Sequence, residues 1–335
     1  TKKSMYEWFK NTKSAYVQED FYKIYINFPR NKLIEKINTR TNKMIDQGAI
    51  SEVKRFIKLK VSKKRTASKA IGISETIEFL NKNYKVSKSW FIEKTLKEYR
   101  SLCNHKQQDE IVLWFEYDLF CQINMIAVLS WLKANRKYAQ ISLVCSGKED
   151  ESGKLYSLSE LSDEQLLYLY KNKTELTQDD IEYADYVWQL YCSDNPIRLE
   201  NLSDFSEFQF EYLPDALHTH LQRFPSIKNG LNSMENNILQ IALDKKPASR
   251  KVFLAEILQN QGFLGFGDSQ YERAITRLKP LFSGFNPVRL TKKGKEILEK
   301  RTSYYSCIQD NDVYLGGALK YNFLFNTDSG RILKL

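Results

Sequence analysis

The chain has 335 residues, of which 42% are hydrophobic and 13% aromatic, enough to fill the cores of two or three domains. Its formal net charge is +10, but residues 1–100 hold 24 Lys and Arg against 10 Asp and Glu, whereas the remainder holds 27 against 31. A basic first third joined to a mildly acidic body predicts two modules with different partners. An anionic polymer is the natural partner of the first module.

The cysteines exclude some functional classes. They are odd in number and scattered, without a C-x-x-C pair, which excludes a thiolate zinc knuckle and favours a reducing compartment; they are Cys103, Cys121, Cys145, Cys192 and Cys307. The apolar stretches are too short to span a bilayer, and "TKKSMYEWFK" lacks the apolar core of a signal peptide. We therefore expect a cytoplasmic protein that does not enter a membrane.

The basic N-terminal part reads as helical with one charged loop. Apolar residues at helical spacing predict helices within 31–57, and further helices are expected around 74–81 and 87–102. Between them, residues 59–76 read "LKVSKKRTASKAIGISET". Such a run is either a solvated face or a loop that contacts phosphate groups.

The chain changes character after residue 109. "EIVLWFEYD" predicts a strand, "LFCQINMIAVLSWLKANRK" a helix and "YAQISLVCSG" a second strand, so a βαβ unit with parallel strands is expected. Helices should then start at the capping boxes of Ser162 and Thr177.

Residues 226–301 predict three helices followed by a short strand, a turn and a further helix. Three helices with a strand–turn extension are the layout of a winged helix. The first helix should start after Asn232, and the third should follow a capping box of Ser269 and Glu272. In that third helix Tyr271, Ile275 and Leu278 should face inward.

The predicted fold class is therefore α/β, mixed and rich in helix. The expected parts are a basic helical segment, a central α/β domain containing the βαβ unit, a winged-helix-like domain and a short β-rich tail, at 1–86, 87–225, 226–302 and 303–335.

Two carboxylates give the body its best candidate active site. Glu116 and Asp118 follow the first predicted strand, at the edge of an open α/β sheet where ligands bind, and Gln122 lies one helical turn further on. The carboxylates could hold Mg²⁺ or act as acid and base. The alternative is structural: Asp118 caps the helix and Glu116 forms a local ion pair.

His218 and His220, two apart on a predicted helix, should point to different sides and are not expected to share a metal.

The winged-helix-like part offers a second basic surface. Arg273 and Arg277 should share the outward face of the third helix together with Gln270, and the turn "RLTKKGK" would place Lys292, Lys293 and Lys295 at the tip of the wing. DNA binding and plain protein–protein contact both remain open for this surface.

Residues 1–85 resemble the C-terminal part of bacterial tRNA dimethylallyltransferase, through "FPRNKLIEKINTRTNKMIDQGAISEVKRF" and "ASKAIGISETIEFLN". That family transfers a dimethylallyl group to an adenine beside the tRNA anticodon, and its segment corresponding to "KAIGIS" approaches the tRNA. The resemblance therefore implies binding of tRNA, or of another RNA, through a set of residues in this loop: Lys60, Lys63, Lys64, Arg65, Lys69, Gly72 and Ser74.

The phosphate-binding loop and catalytic aspartate of that family have no counterpart in the sequence. The nearest candidate, "GKEDESGKL" from Gly147 to Leu155, has its glycines one position too far apart and lacks the hydroxyl residue. We therefore expect this chain not to prenylate RNA by itself.

Residues 87–330 resemble an uncharacterised bacterial family, domain of unknown function 1835. The resemblance rests on blocks such as "IVLWFEYDLFCQIN", "LGFGDSQYERAI" and "YLGGALKYN". It implies a fusion of two modules and carries no chemistry. Three hypotheses follow: RNA binding by the N-terminal segment, a metal- or nucleotide-dependent enzyme in the α/β domain, or a DNA- or protein-binding module near residues 268–301.

Overall fold

The computed structural model describes residues 109–135, 139–147, 154–202, 208–310 and 312–335, with a few single positions between 81 and 97. The helix predicted within 31–57 lies outside the described residues, as do the one predicted around 74–81, except for its last residue, and most of the one predicted at 87–102.

The centre of the described part is the predicted βαβ unit. Strand β1 (Glu110–Glu116) leads into helix α1 (Leu119–Asn135), which returns the chain to strand β2 (Gln140–Ser146). The two strands are parallel and in register from Glu110 opposite Gln140 to Glu116 opposite Ser146. A short strand β3 (Thr174–Glu175) pairs antiparallel with β2, so the strand order is β1–β2–β3. The parallel pair is confirmed.

The two faces of this sheet are covered differently. Helix α1 buries Leu119, Ile123 and Ile126 completely and packs against α3 (Gln178–Tyr191). On the opposite face Trp114 of β1 stacks on Tyr170 of helix α2 (Asp163–Lys171), with ring centroids 6.3 Å apart. The helix α4 (Leu213–Leu221) also packs against α1. The carboxyl ends of β1 and β2 therefore lie beside the start of α1, between the helices that cover the two faces of the sheet.

The helix starts agree with two predicted capping boxes and with the helix predicted to follow Asn232, where the structure adds a capping box. Ser162 and Gln165 cap α2, Thr177 and Asp180 cap α3, and Asn232 with Glu235 caps α5 (Ser233–Lys245). The box predicted at Ser269 is wrong, because the helix starts earlier and Ser269 lies inside it.

The segment after α5 has its helices in the predicted order, but it has a hairpin of two strands where the sequence predicted one strand. Helices α6 (Arg250–Gln259) and α7 (Asp268–Arg277) are followed by a hairpin of β4 (Phe282–Phe285) and β5 (Val288–Leu290). Gly267 stands at the N-cap of α7, and Glu272 pairs with Arg250 rather than closing a capping box. Tyr271, Ile275 and Leu278 are buried as expected.

The lysines predicted at the tip of the wing lie elsewhere. The hairpin ends at Leu290, Thr291 caps the next helix through its hydroxyl, and Lys292 and Lys293 open that helix, α8 (Lys292–Leu298). The hydroxyl of Thr291 accepts the N–H of the buried Gly294 at 3.0 Å, which is the hydrogen bond of a helix N-cap. The chain therefore starts a helix here and does not extend the turn.

The C-terminal tail is rich in short strands, as expected. After a short helix α9 (Tyr305–Ile308), β6 (Tyr314–Leu315) pairs with β7 (Ala318–Leu319), and β8 (Phe323–Asn326) pairs with β9 (Arg331–Lys334). Its Phe323, Phe325 and Ile332 join the same buried core as α1 and α5. The predicted domain boundaries remain predictions.

Among the described residues, no helix is both long and apolar enough to span a membrane.

Candidate functional site

Glu116 and Asp118 lie where the sequence placed them, between the end of β1 and the start of α1. Asp118 caps α1: its Oδ1 accepts the N–H of Cys121 at 2.8 Å. Oε1 of Glu116 accepts the N–H of Leu158 at 2.9 Å, from a segment that crosses above the strand ends. Half of the structural alternative is therefore correct, since Asp118 is a helix cap. Among the described residues, Glu116 has a backbone partner and not the ion pair that this alternative expected.

A third potential ligand joins these carboxylates. One carboxylate oxygen of Glu116, one of Asp118 and the Sγ of Cys121 all lie within 4.8 Å of one another. Asp118 and Cys121 are three residues apart at a helix start, a spacing that brings side chains to one side. Two oxygen ligands and one sulfur ligand therefore converge on a single point.

Burial controls the ionisation of this cluster. It raises the pKa of both Glu116 and Asp118 above their usual range, although hydrogen bonds from Leu158 and Cys121 oppose the shift. The neighbouring Asp118 raises the pKa of Glu116 further. Burial also raises the pKa of the Cys121 thiol, and the two carboxylates add to this effect. Within the described part of the chain, no cationic side chain contributes to the shift of either carboxyl group.

Three segments enclose the cluster. The Leu158 segment covers one side and is held in place because the Tyr156 N–H donates to the carbonyl of Gly147 at 2.9 Å. On another side Gly265 touches the Asp118 carboxylate so closely that a Cβ at this position would lie 2.2 Å from Oδ1. The start of α1 closes the third side. The cluster is therefore a partly desolvated site rather than a surface patch.

Gln122 does not face the same point as the carboxylates. Its amide nitrogen donates to the backbone carbonyl of Glu116 at 2.8 Å and to the Sγ of Cys145 at 3.4 Å. It lines a cavity of about 130 Å³ beside β2, whose other walls include Cys145, Glu211 and Tyr212. Glu116 and Asp118 do not line this cavity. Gln122 thus positions the end of β1, and its predicted catalytic role remains a prediction.

Sequence reasoning missed Cys121 and Ser146. The spacing of Asp118 and Cys121 was an available signal, because residues three apart on a helix are neighbours. Ser146 needed the strand register: it pairs with Glu116, and its side chain therefore leaves the same face of the sheet. Ser146 is fully buried, and its hydroxyl has no hydrogen-bond partner among the described residues.

The two histidines point to different sides of α4, as expected. His218 is exposed, whereas His220 is buried between Tyr191 and Phe224. Burial lowers the pKa of His220 well below its usual value, and Arg223 lowers it further. His220 therefore belongs to the core.

The basic surface near α7 is smaller than predicted. Arg273 is exposed, but the guanidinium of Arg277 donates to the carbonyl of Ile308 at 2.9 Å and to the hydroxyl of Tyr321 at 2.7 Å. The expectation that both arginines share an outward face is wrong for Arg277, because the tail covers it. On α8, Lys292 is exposed and lies 3.9 Å from Glu296.

Lys293 is also exposed, and its ammonium lies 5.1 Å above the ring of Tyr304. Arg273, Lys292 and Lys293 are thus exposed on the surface of the body. The predicted RNA-contacting set lies outside the described residues: Lys60, Lys63, Lys64, Arg65, Lys69, Gly72 and Ser74.

Comparisons with known proteins bear on that N-terminal part. The family model described as IPP transferase matches residues 1–110. The tRNA dimethylallyltransferase of Pelagibacter ubique is 51% identical over 78 residues, which cover 23% of this chain and 25% of the relative. The Thermotoga maritima enzyme of the same name is 37% identical over 76 residues, covering 23% and 25%. The resemblance predicted for the N-terminal region is confirmed.

A further relative gives the same picture. The tRNA dimethylallyltransferase of Wolbachia pipientis is 36% identical over 81 residues, covering 24% of this chain and 27% of the relative. The chain thus spans about a quarter of the length of the curated relatives that it matches. No solved structure matches the chain. The resemblance of residues 87–330 to domain of unknown function 1835 remains a prediction.

Proposed function

We propose that this chain associates with tRNA, or with another structured RNA, through its basic N-terminal segment. The observation that carries the proposal is the match of residues 1–110 to the IPP transferase family, together with relatives whose names state that they act on tRNA. This chain covers about a quarter of the length of those relatives, so their transferase activity is not part of the proposal.

The charge distribution supports the proposal. Residues 1–100 carry 24 basic against 10 acidic side chains, and five of the basic ones lie between Lys60 and Lys69. Each Lys or Arg that neutralises a phosphate releases counterions, so binding should weaken steeply as salt increases.

The experiment is a salt titration of tRNA binding by the full chain. A variant with glutamine at Lys60, Lys63, Lys64, Arg65 and Lys69 should bind more weakly and show a flatter salt dependence, because up to five phosphate contacts are lost. The matched control replaces Arg273, Lys292 and Lys293, the exposed basic residues of the body, and should leave the slope unchanged. If the control alone flattens the slope, the nucleic-acid surface lies on the winged-helix-like part.

We also expect the 335 residues to transfer no dimethylallyl group when supplied with dimethylallyl diphosphate and an anticodon stem-loop. The phosphate-binding loop that would hold the diphosphate has no counterpart in this sequence. Prenylated adenine above background, measured by mass spectrometry, would contradict this expectation.

A second candidate function is a cation-dependent ligand site at the carboxyl end of β1. The observation that favours it is the convergence of Glu116 and Asp118, within reach of one ion, at a sheet edge where ligands bind in open α/β folds. Mg²⁺ is the ion that the two carboxylates alone would suggest. A metal- or nucleotide-dependent reaction in the body would use this site.

The test of this second function is thermal. Divalent cations should raise the melting temperature of the wild type and not that of the double variant Glu116→Gln/Asp118→Asn, since ligands that bind only the folded state stabilise it. Both amides keep an acceptor oxygen for the N–H groups of Leu158 and Cys121, so the variant should fold. Equal shifts in the two proteins would overturn the site.

A further inference from the structure

We propose that Cys121 is a third ligand of this site, so that the site holds a Zn²⁺-like cation instead of Mg²⁺. The inference rests on the cation site proposed above and identifies its ion by chemical class. Sulfur decides the class: thiolate is a ligand of Zn²⁺ and of other ions that accept both sulfur and oxygen, whereas Mg²⁺ takes oxygen ligands almost exclusively.

The placement of the three groups carries the first step. The ligand atoms of Glu116, Asp118 and Cys121 lie within 4.8 Å of one another, and ligands around a tetrahedral Zn²⁺ are roughly 3.5 Å apart, given metal–ligand bonds of 2.0–2.3 Å. The required approach is about 1 Å, which side-chain rotations can supply. Three protein ligands leave a fourth position open, as in catalytic zinc sites.

The charges of the site carry the second step. Asp118 is buried and Glu116 half-buried, and among the described residues no cationic group contributes to the pKa of either carboxyl group. The positive end of the α1 dipole offsets only part of this charge. Since burial and the two carboxylates raise the pKa of the Cys121 thiol, a bound cation would have to displace the thiol proton to solvent. With a divalent cation bound, three anionic ligands would leave a net charge of −1, facing that same helix end.

Ser146 is an independent indication that a ligand belongs here. Its hydroxyl is fully buried and has no hydrogen-bond partner in the described part of the chain. Because Ser146 is in register with Glu116 on the adjacent strand, its side chain leaves the same sheet face about 5 Å away. A buried hydroxyl without a partner is costly, and a metal-bound water in the fourth position would supply one.

The competing interpretation is that Cys121 is only part of the helix cap, with its thiol hydrogen-bonded to the carboxylate of Asp118. The two interpretations differ in what the sulfur does when a cation is present. A cap thiol stays uncoordinated, and a ligand thiol bonds to the metal.

The experiment uses Co²⁺ as a probe, added to the chelator-treated full chain. Co²⁺ bound by a thiolate shows a sulfur-to-metal charge-transfer absorption in the near ultraviolet, and oxygen-only sites do not. We expect one Co²⁺ per chain, this absorption, and its displacement by Zn²⁺ but not by Mg²⁺. In Cys121→Ser the band should disappear, and Zn²⁺ affinity should fall by more than the roughly 10–100-fold that loss of a group outside the ligand shell costs.

The matched control is Cys145→Ser. Cys145 is similarly half-buried and lies beside Gln122, but its sulfur is not one of the converging ligands, so the band should persist. A second measurement needs no variant: Zn²⁺ should protect Cys121 from alkylation in the wild type, as followed by peptide mass spectrometry.

The outcomes separate the two proposals. Cation binding that depends on Glu116 and Asp118, without the charge-transfer band and without protection of Cys121, overturns sulfur ligation and leaves the carboxylate site standing. No saturable binding of any divalent cation overturns both.

Discussion

Two clusters of ionisable groups in this protein, one partly buried and one fully buried, differ in their charge balance. In the first, Glu116 and Asp118 converge with a thiol, and the described residues bring no cation to them. In the second, Glu235 of α5 meets Lys320 of the tail at 3.3 Å, with side-chain exposures of 4% and 5%. The second pair is complete within the chain.

The difference separates a structural role from a ligand-binding role. Oε2 of Glu235 also accepts the Asn232 N–H at 2.9 Å, so both of its oxygens have partners. This cluster joins a helix start to the tail and needs nothing from outside. In the first cluster, two carboxylates are removed from solvent without a neighbouring cation to balance their charge. Such an arrangement is typical of a site that binds a counter-ion.

The largest effect is expected from breaking the complete pair. Lys320→Met should lower the free energy of unfolding by about 3–5 kcal/mol, because Glu235 would remain buried without its cation. Urea denaturation measures the change. The control Lys228→Met removes an exposed ion pair with Asp328 and should cost at most about 1 kcal/mol. Equal losses in the two variants would contradict the comparison.

A second variant tests the pair as a unit. In Glu235→Gln/Lys320→Met no unpaired charge remains, and the amide oxygen can still cap the helix at Asn232. Part of the loss of the single variant should therefore be recovered.

Gly265 tests how tightly the first cluster is enclosed. Gly265→Ala should cost about 3 kcal/mol, because its φ of +65° disfavours a side chain and the new Cβ would meet the Asp118 carboxylate at 2.2 Å. Gly262 is a matched control: its φ is +60°, but no atom lies within 4 Å of a Cβ there, so Gly262→Ala should cost only about 1 kcal/mol. If the denaturation midpoints of Gly265→Ala and Gly262→Ala fall by the same amount, the Asp118 side chain can move away from the new methyl group at no cost.

His220 extends the comparison to pH. Burial lowers the pKa of both His220 and Lys320, and the nearby charge of Arg223 lowers both further. Since the pKa of His220 is lower in the folded state than in the unfolded one, stability is complete above pH 6.5 and is lost as the pH falls below it. The slope should reach about 1.4 kcal/mol per pH unit.

The measurement is the free energy of unfolding between pH 7 and pH 5. His220→Phe keeps an aromatic ring against Tyr191 and Phe224 and should flatten the slope, whereas His218→Gln, at the exposed histidine, should not. A slope that is unchanged in His220→Phe would assign the acid sensitivity to other groups.

Local signals in the sequence predicted much of this fold. Helix starts were predicted from the capping boxes at Ser162 and Thr177 and from the apolar pattern after Asn232, and the parallel pair from its apolar runs. These features depend on neighbouring residues. The helix that the sequence predicted after the strand is α8, but its first turn was placed in a wing tip. The hydroxyl of Thr291 can cap a helix or close a turn, and the choice depends on tertiary contacts.

The candidate site was only half predictable for the same reason. Glu116 and Asp118 follow a strand, which the sequence shows. Ser146 becomes their neighbour through strand register, and Arg277 loses its outward position because Tyr321, 44 residues later, accepts its hydrogen bond. Both facts depend on pairings between distant segments, which no local pattern contains.

The smallest expected effect concerns the carboxylates themselves, and its sign should depend on the cation. In the presence of a chelator, Asp118→Asn should raise the free energy of unfolding by about 0.5 kcal/mol, because the amide caps α1 equally well and removes one of two mutually repelling buried charges. Glu116→Gln should gain less, since Glu116 is less deeply buried and solvent screens it.

With saturating Zn²⁺ the order should reverse. The wild type gains binding free energy, about 2.7 kcal/mol at a cation concentration 100 times Kd, and Asp118→Asn loses most of it with its ligand oxygen charge. Thermal melts with chelator and with Zn²⁺ therefore give curves that cross between the two proteins. Parallel shifts would show that Asp118 is a helix cap and nothing more, because a cap stabilises the fold by the same amount whether or not a cation is present.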